Sequence, residues 1–461
     1  MRRPTRGDAV AYGLGAVLAV VYAAISLTRY RRFDTPSWDN AIFEQAIRGY
    51  ASLGAPIVDI KGPGYNILGD HFSPITALVA PLYAVFPDGA TLLVAQALLV
   101  AASAVVVTRL AIEHLGRVAG PFVGVAYGLS FGVQAAVLVD FHEVAFAAPM
   151  LALAGSAYVR RQWVRVAAWT LPLLLVKEDL GVTVVAVGVV LVLSGARRVG
   201  AGVAVAGAVG FVLVLLVLIP AMNPQGTYDY LGVVGAGGGV DAGPGPLTVL
   251  FTDVGTKVVT VLVTLGVTGF LALRSPWVLV AGPTLLWRFV GDNPYYWGIE
   301  WHYSLVLMPI VFCAMIDAVV RLRSGDGPDW LRTYASQVPA VATAVALVMC
   351  LQLPVKALFD PATWQESPRA ASARAALDAI PPGSSVETDI GLITHLTSDR
   401  TVYWTGTVGD AVPDYVLVDT LGGGWSQQPD VVAYAEQQHP GTRYEQVLDD
   451  GGFLVARRLP S

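Results

Sequence analysis

Charge is what this sequence has least of. Only 14% of its 461 residues are Asp, Glu, Lys or Arg, against 55% hydrophobic, whereas a soluble domain carries roughly a quarter charged residues. That balance excludes water as the main solvent of the chain, and the mean hydropathy of +0.59 agrees. Lysine is nearly missing, with Lys61, Lys177, Lys257 and Lys356 the whole set. Acids outnumber bases 34 to 29 and the arginines sit in short loops, so no surface for nucleic acid is present. Cysteine is limited to Cys313 and Cys350, both inside apolar runs, which excludes a disulfide framework and points to packing. The N-terminal apolar run, Ala9 to Leu27, has no A-x-A-like exit and is too long for a signal peptide, so it reads as a retained anchor.

What the chain does have is apolar runs near the roughly 20 residues that cross a bilayer as a helix. They fall at 9–27, 90–112, 119–139, 144–159, 164–176, 180–195, 199–220, 254–273, 276–290, 303–320 and 338–354. The expected fold is an all-α polytopic membrane bundle of about eleven transmembrane helices. Ser73 to Phe86 is left out of the count, because it is short, carries Pro74 and Pro81, and suits the interface. With the N-terminus cytoplasmic, the inner loops hold Arg2, Arg3, Arg6, Arg117, Arg160, Arg161, Arg165, Arg197, Arg198, Arg274, Arg321, Arg323 and Arg332, as the positive-inside rule requires. Arg29, Arg31 and Arg32 fall outside and run against the rule; a lipid phosphate also attracts such residues. Counting Ser73 to Phe86 as a span would invert every later loop.

This orientation gives the outer face the long first loop 28–89, the turns Asp140 to Glu143 and Lys177 to Asp179, the loop 221–253, the turn Gly291 to His302, and everything after 355. Chemistry placed there has no direct use of cytosolic ATP or nucleotide sugars. The glycine-rich sequence GVVGAGGGVDAGPGP in loop 221–253 cannot bury a core and reads as a tether or a gate. After Ser367 the pattern turns soluble: a helix near 369–380, strands at 385–387, 401–404 and 415–419, a helix near 430–438 and a hairpin around Asp449 to Gly452. Residues 1–355 therefore read as a transmembrane domain with its long first outer loop, and 356–461 as a small soluble α/β extracytoplasmic domain.

The ionisable residues of that outer face are the candidates for chemistry. Asp34 and Asp39 follow the first span. Asp39 opens a helix whose Ile42, Phe43, Ala46, Ile47 and Tyr50 trace one apolar face, expected to lie against the membrane. An N-cap explains such an aspartate; a general base for sugar transfer to a hydroxyl is the functional alternative. Asp70 and His71 precede the interfacial segment, and His142 and Glu143 join two spans. Solvated turns explain each pair alone. They are also acceptable ligands for zinc or manganese, so a divalent cation is compatible, although no H-x-x-x-H or H-E-x-x-H spacing occurs. Lys177, Glu178 and Asp179 interrupt an apolar stretch, where ionisable groups are costly enough to imply function. The expectation is a short outer turn with Lys177 facing an anion. Arg288 ends a later span, with His302 and Tyr303 opening the next; an arginine, a lysine and aromatics at one surface suit a lipid phosphate. Tyr295, Tyr296, Trp297 and Trp301 fit an interfacial belt equally well.

The motifs WD-x-A-I-F-x-Q at Trp38 to Gln45, LGDHFSP at Leu68 to Pro74, DFHE at Asp140 to Glu143, the KED turn at Lys177 to Asp179 and HYS at His302 to Ser304 resemble those of an uncharacterised family of predicted bacterial polytopic membrane proteins, a domain of unknown function. The stretches IPPGSSVETDIGLITHLTSDRTVYW and DYVLVDT resemble its outer domain, so the resemblance covers nearly the whole chain. That family in turn is similar to GT-C glycosyltransferases. This implies a GT-C-like bundle, an acidic residue after span one and polyprenyl-phosphate sugar donors. The chain lacks the adjacent acidic pair of many protein mannosyltransferases, which counts against protein as acceptor.

The resulting expectation is an inverting membrane glycosyltransferase of the cell envelope. Asp39, with Asp34 second, is the catalytic carboxylate. Asp70, His71, His142, Glu143, Lys177, Glu178, Asp179, Arg288, His302 and Tyr303 bind substrate, with Lys177 and Arg288 sharing the donor phosphate. The partners are a polyprenyl-phosphate-linked sugar, a glycan or lipid acceptor and membrane lipids. A transporter or flippase of lipid-linked or anionic substrates is the alternative, although the internal repeat and midplane charges of transporters are absent. A non-catalytic envelope assembly protein is the third reading.

Overall fold

The computed structural model describes residues 6–35, 38–228 and 245–460. The glycine-rich centre of loop 221–253, and Arg2 and Arg3, lie outside the described residues. The chain is mostly helical, with one five-stranded sheet near its C-terminus. Among the described residues five helices are long and apolar enough to cross a membrane: Arg6–Arg31, Gly89–Leu115, Ala119–Leu138, Arg197–Met222 and His302–Arg323. Shorter apolar helices, including Glu143–Val159, Leu180–Leu193 and Pro276–Val290, pack among them. Lipid offers no partner to a backbone N–H or C=O, so apolar sequence of this kind closes its hydrogen bonds within each segment as helix. The last of the five is buried nearly all round from Leu307 to Val319 and forms the central pillar. Glycine lets neighbours close in. A Cβ on Gly188 would collide with the Ala204 amide nitrogen, which shows how closely Leu180–Leu193 meets the helix that follows it.

Arginine-bearing turns meet at one end of the bundle. Arg160 pairs with Glu113, Arg323 donates to the His114 carbonyl, and Arg161 and Arg321 both pair with Asp317. Asp317 is fully buried and also accepts from Ser275 Oγ at 2.6 Å, so its charge is matched from three elements.

At the opposite end lie the first loop and the C-terminal unit. Ser73 to Phe86 forms two short pieces, a 3-10 helix Pro74–Val79 and an α-helix Ala80–Val85. The C-terminal strands are β1 Ser385–Thr388, β2 Thr401–Trp404, β3 Tyr415–Asp419, β4 Tyr444–Asp450 and β5 Phe453–Arg458. They pair in the order β2-β1-β3-β5-β4. The first three are parallel, and β5 runs antiparallel to β3 and to β4. Helices Ala370–Asp378 and Val431–Gln438 flank the sheet.

The loop helix Trp38–Ala51 differs from the amphipathic expectation. Every residue from Asn40 to Ile47 is buried, because the helix lies between two cores. Phe43 and Ile47 enter the bundle core. Ala41, Ile42 and Ala46, with Val58, Ile60 and Ile67, join Val386, Val402 and Leu417 of the sheet in a single core. A boundary at residue 355 thus passes between segments that share a core. Polar bonds reinforce the junction. Arg48 donates to the carbonyls of Thr397 and Arg400 at 2.7 Å each, Gln45 to that of Val402 at 3.0 Å, and Asn40 to Thr394 Oγ1 at 2.8 Å. Glu44, wholly buried, accepts from Tyr83 at 2.9 Å and from Thr397. The ring of His395 packs, tilted, against Tyr30 and Phe33 at the end of the first span.

Candidate functional site

A cavity of about 390 Å³ opens where these elements converge. Its polar lining comes from segments far apart in sequence: Asp39 of the loop helix, His71, the turn at His142 and Glu143, the turn Lys177 to Asp179, and His302 with Tyr303. Tyr228, Trp287 and Tyr296 add aromatic wall, while Phe211 and Leu215 make one side apolar. Leu215 belongs to a π-helical turn, Val214–Leu218, within the span Arg197–Met222, and such turns re-aim the side chains of a helix. The neighbouring Leu216 and Val217 are exposed, so the apolar wall continues to the lipid-facing surface.

Local folding explains how each group arrives. Asp140 adopts a left-handed φ of 73°, a sharp turn that brings both His142 and Glu143 inward. Gln96, from the helix Gly89–Leu115, donates to the carbonyls of Ala136 and Asp140 and accepts from the His142 amide at 3.0 Å, which clamps the turn. The rings of His142 and His302 stack with centroids 3.5 Å apart. Gln96 and Tyr228 escaped the reading of the sequence; for Gln96 the signal was a lone amide inside the apolar run LLVAQALLV.

Three ion pairs line the cavity. Asp39 meets His142 Nε2 at 3.1 Å, Glu143 meets Lys177 at 2.8 Å, and Glu178 meets His71 Nδ1 at 3.1 Å. Glu178 also accepts from Tyr228 at 3.1 Å. Burial opposes the charge on Asp39, His142, His71, Glu178 and Lys177, and the partners overcome it. His142 is raised above the usual imidazole value once Asp39 and Glu143 outweigh its desolvation. His71 is raised in the same way by Asp70 and Glu178. Asp39 is desolvated too, yet His142 and Lys177 hold its carboxyl below the usual range. Glu178 is desolvated and still falls to about 2 through His71 and Lys177. Lys177 is raised, since Glu143 and its neighbours exceed the cost of burial. The anion that Lys177 faces is therefore Glu143 of the protein itself. Asp179 is the exception: burial, with Glu178 and Glu143 adding to it, pushes its carboxyl up to about 7.

The structure brings together Asp39, His71, His142, Glu143, Lys177, Glu178, Asp179, His302 and Tyr303. It does not bring in Asp34, Asp70 or Arg288. Asp34 pairs at 2.6 Å with Arg32, which also donates to the carbonyls of Ala362 and Gln365, so it ties the first span to the chain beyond the last. Asp70 sits behind the wall on Lys61 at 3.0 Å. Arg288 was expected beside Lys177 on a phosphate, but its guanidinium is fully buried and spent on the protein: it donates to the carbonyls of Tyr296 and Gly298 and to Ser304 Oγ, which pins the turn 291–302. Asp39 lies inside the first turn of its helix, with 42% of its side chain open to the cavity, and its carboxyl is engaged by His142. Trp297 of the expected belt is buried, donating to the Gly291 carbonyl at 3.0 Å, while Tyr295 stays exposed. Among the described residues no group of three or more His, Cys, Asp and Glu is arranged to hold a metal ion.

No curated protein matches this sequence. Residues 29–455 match the family described as predicted membrane protein (DUF2079), a span that takes in the first loop, the cavity and the sheet, and the chain belongs to that family.

Proposed function

We propose that this chain is a GT-C-type membrane glycosyltransferase, with about eleven spans, that moves a sugar from a polyprenyl-phosphate donor to a glycan or lipid acceptor at the outer face. The observation that carries the reading is the cavity itself. Charged groups from four separate segments, with His302 and Tyr303 from a fifth, meet there beside an apolar side continuous with the lipid-facing surface. A substrate with a polar head and a long hydrocarbon tail fits such a site: the tail stays in lipid, and the head meets Lys177, His71 and His142. Asp39 is the one paired carboxylate substantially open to the cavity, and it takes the proton of the acceptor hydroxyl as the anomeric carbon is attacked. The arginine turns, which cluster at the end away from the cavity, support an outer location by the positive-inside rule.

The test is reconstitution in nanodiscs or proteoliposomes with a panel of labelled polyprenyl-phosphate sugars and lipid or oligosaccharide acceptors. Transfer dependent on Asp39 is the expected result. Donor crossing the proteoliposome bilayer with no new glycosidic bond would replace this reading with that of a flippase.

A further inference from the structure

The cavity holds four carboxyl groups and three cations. Asp39, Glu143 and Glu178 each have their own cation within 3.1 Å. Asp179 has none among the described residues, and its Oδ1 is buried without a hydrogen-bond partner. An aspartate at the N-terminal cap of a helix ordinarily accepts from the free amides of the first turn. Asp179 stands at that position before Leu180–Leu193 and makes no such bond. It has neither of the structural uses that would explain a carboxyl at this depth.

A second observation bears on the same group. Behind the main cavity is a chamber of about 10 Å³ bounded by Lys177, Asp179, Thr284, Trp287, His302 and Tyr303. That is about the size of one water molecule. Thr284 Oγ1, Trp287 Nε1 and His302 Nδ1 are buried there, and none has a hydrogen-bond partner among the described residues. A hydroxyl, an indole N–H and an imidazole nitrogen without partners thus belong to residues that border the same small, mainly apolar space as Asp179.

We infer that Asp179 is the proton donor of this site and protonates the phosphate oxygen that leaves the anomeric carbon. The inference rests on the glycosyl-transfer reading above. The acceptor oxygen bonds to the anomeric carbon and its proton passes to Asp39. The bond from that carbon to the phosphate oxygen breaks, its electron pair stays on the oxygen, and the Asp179 proton moves there. Asp39 then releases its proton to solvent, and Asp179 regains one from solvent in the main cavity, which it also lines. The groups facing Asp179 support the assignment. Burial is the main cause that favours its neutral form; Lys177 and His71 act against it, and Glu178 and Glu143 act with it. A phosphate monoester has its second ionisation near pH 6, so a carboxyl held at about 7 is matched to that leaving group. One cavity then contains an ionised carboxylate and a protonated one, the pairing that separates base from acid.

The experiment compares wild type, Asp179→Asn and Thr284→Val in nanodiscs. The protonated-carboxyl C=O stretch is recorded by infrared difference spectroscopy between about pH 6 and 8, alongside transfer from a polyprenyl-phosphate sugar against pH. Expected are a carboxyl band that titrates near neutrality and is missing in Asp179→Asn, a loss of kcat of about 10² to 10⁴ in that variant with KM little changed, and loss of the alkaline limb of its pH profile. Thr284→Val keeps the band and lowers kcat less. A titrating band that persists in Asp179→Asn, or a variant with the wild-type pH profile and rate, overturns the role of Asp179 while leaving glycosyl transfer intact. Wild type that transfers from no donor overturns the glycosyl-transfer reading and this step with it.

Discussion

Glu44 gives the sharpest test of how the loop helix is held. Its carboxyl is fully buried between the first loop and the C-terminal unit, accepting from Tyr83 and Thr397. Burial is the main cause that pushes it from the ordinary 4.5 up to about 8, although those two hydrogen bonds act the other way. The folded chain therefore keeps this proton at pH 7 while the unfolded chain has released it. More protons on the folded side mean that stability falls as pH rises from about 4.5 to about 8 and is flat beyond. At about 1.4 kcal/mol per unit, the fall sums to about 5 kcal/mol across that window. Glu44→Gln has nearly the shape of the protonated acid and cannot ionise. The two proteins should match near pH 5 and diverge steadily, with the variant more stable by about 4 to 5 kcal/mol at pH 8 to 9. Denaturant or thermal unfolding in nanodiscs, followed by fluorescence at several pH values, measures the difference. Asp179 contributes a slope of the same sign to both proteins, so their difference isolates Glu44. Parallel pH profiles would refute the reasoning.

Other substitutions test the site. Asp39→Asn should lower transfer by about 10² to 10⁴, with Asp34→Asn near wild type; initial rates in which Asp34→Asn is the more damaged would remove Asp39 as the base. Lys177→Met leaves Glu143 buried without its cation, at a cost of about 3 to 5 kcal/mol, and adding Glu143→Gln should recover most of it; a thermal-unfolding cycle with simply additive effects would show that the pair is uncoupled. Arg288→Ala strips the Tyr296 and Gly298 carbonyls of their donor, at about 1 to 3 kcal/mol for each group left unsatisfied, and should make the turn 291–302 more sensitive to protease; unchanged cleavage would deny Arg288 its bracing role.

Apolar runs made the five long helices legible, because in lipid the length and composition of a segment decide its backbone. The C-terminal strands were legible for the usual reason, short apolar alternation between turn residues. Lys177 to Asp179 and His142 with Glu143 stood out through the cost of charge in apolar sequence, and the structure sets both in one cavity. Arg288 stood out for the same cost, yet its charge is met by backbone carbonyls ten residues away and less, a use that a single sequence does not distinguish from ligand binding. The loop helix misled for a related reason. Its apolar residues do trace a helix, but Asn40, Glu44, Gln45 and Arg48 read as a solvated face, when they are partners of residues more than 350 positions later or of the first loop itself. Sequence distance hides such contacts.

That shared core sets an order of events during synthesis. The helix bearing Asp39 leaves the ribosome early, whereas the strands and the Thr394 to Arg400 segment that clamp its other side emerge more than 300 residues later. Until then Asn40, Glu44, Gln45 and Arg48 lack the C-terminal groups that satisfy them. A nascent chain can thread its spans into the bilayer without fixing the carboxylate at the cavity. Assembly of the site therefore awaits the C-terminal strands, and a ribosome stalled before them would leave an inserted protein with no competent cavity.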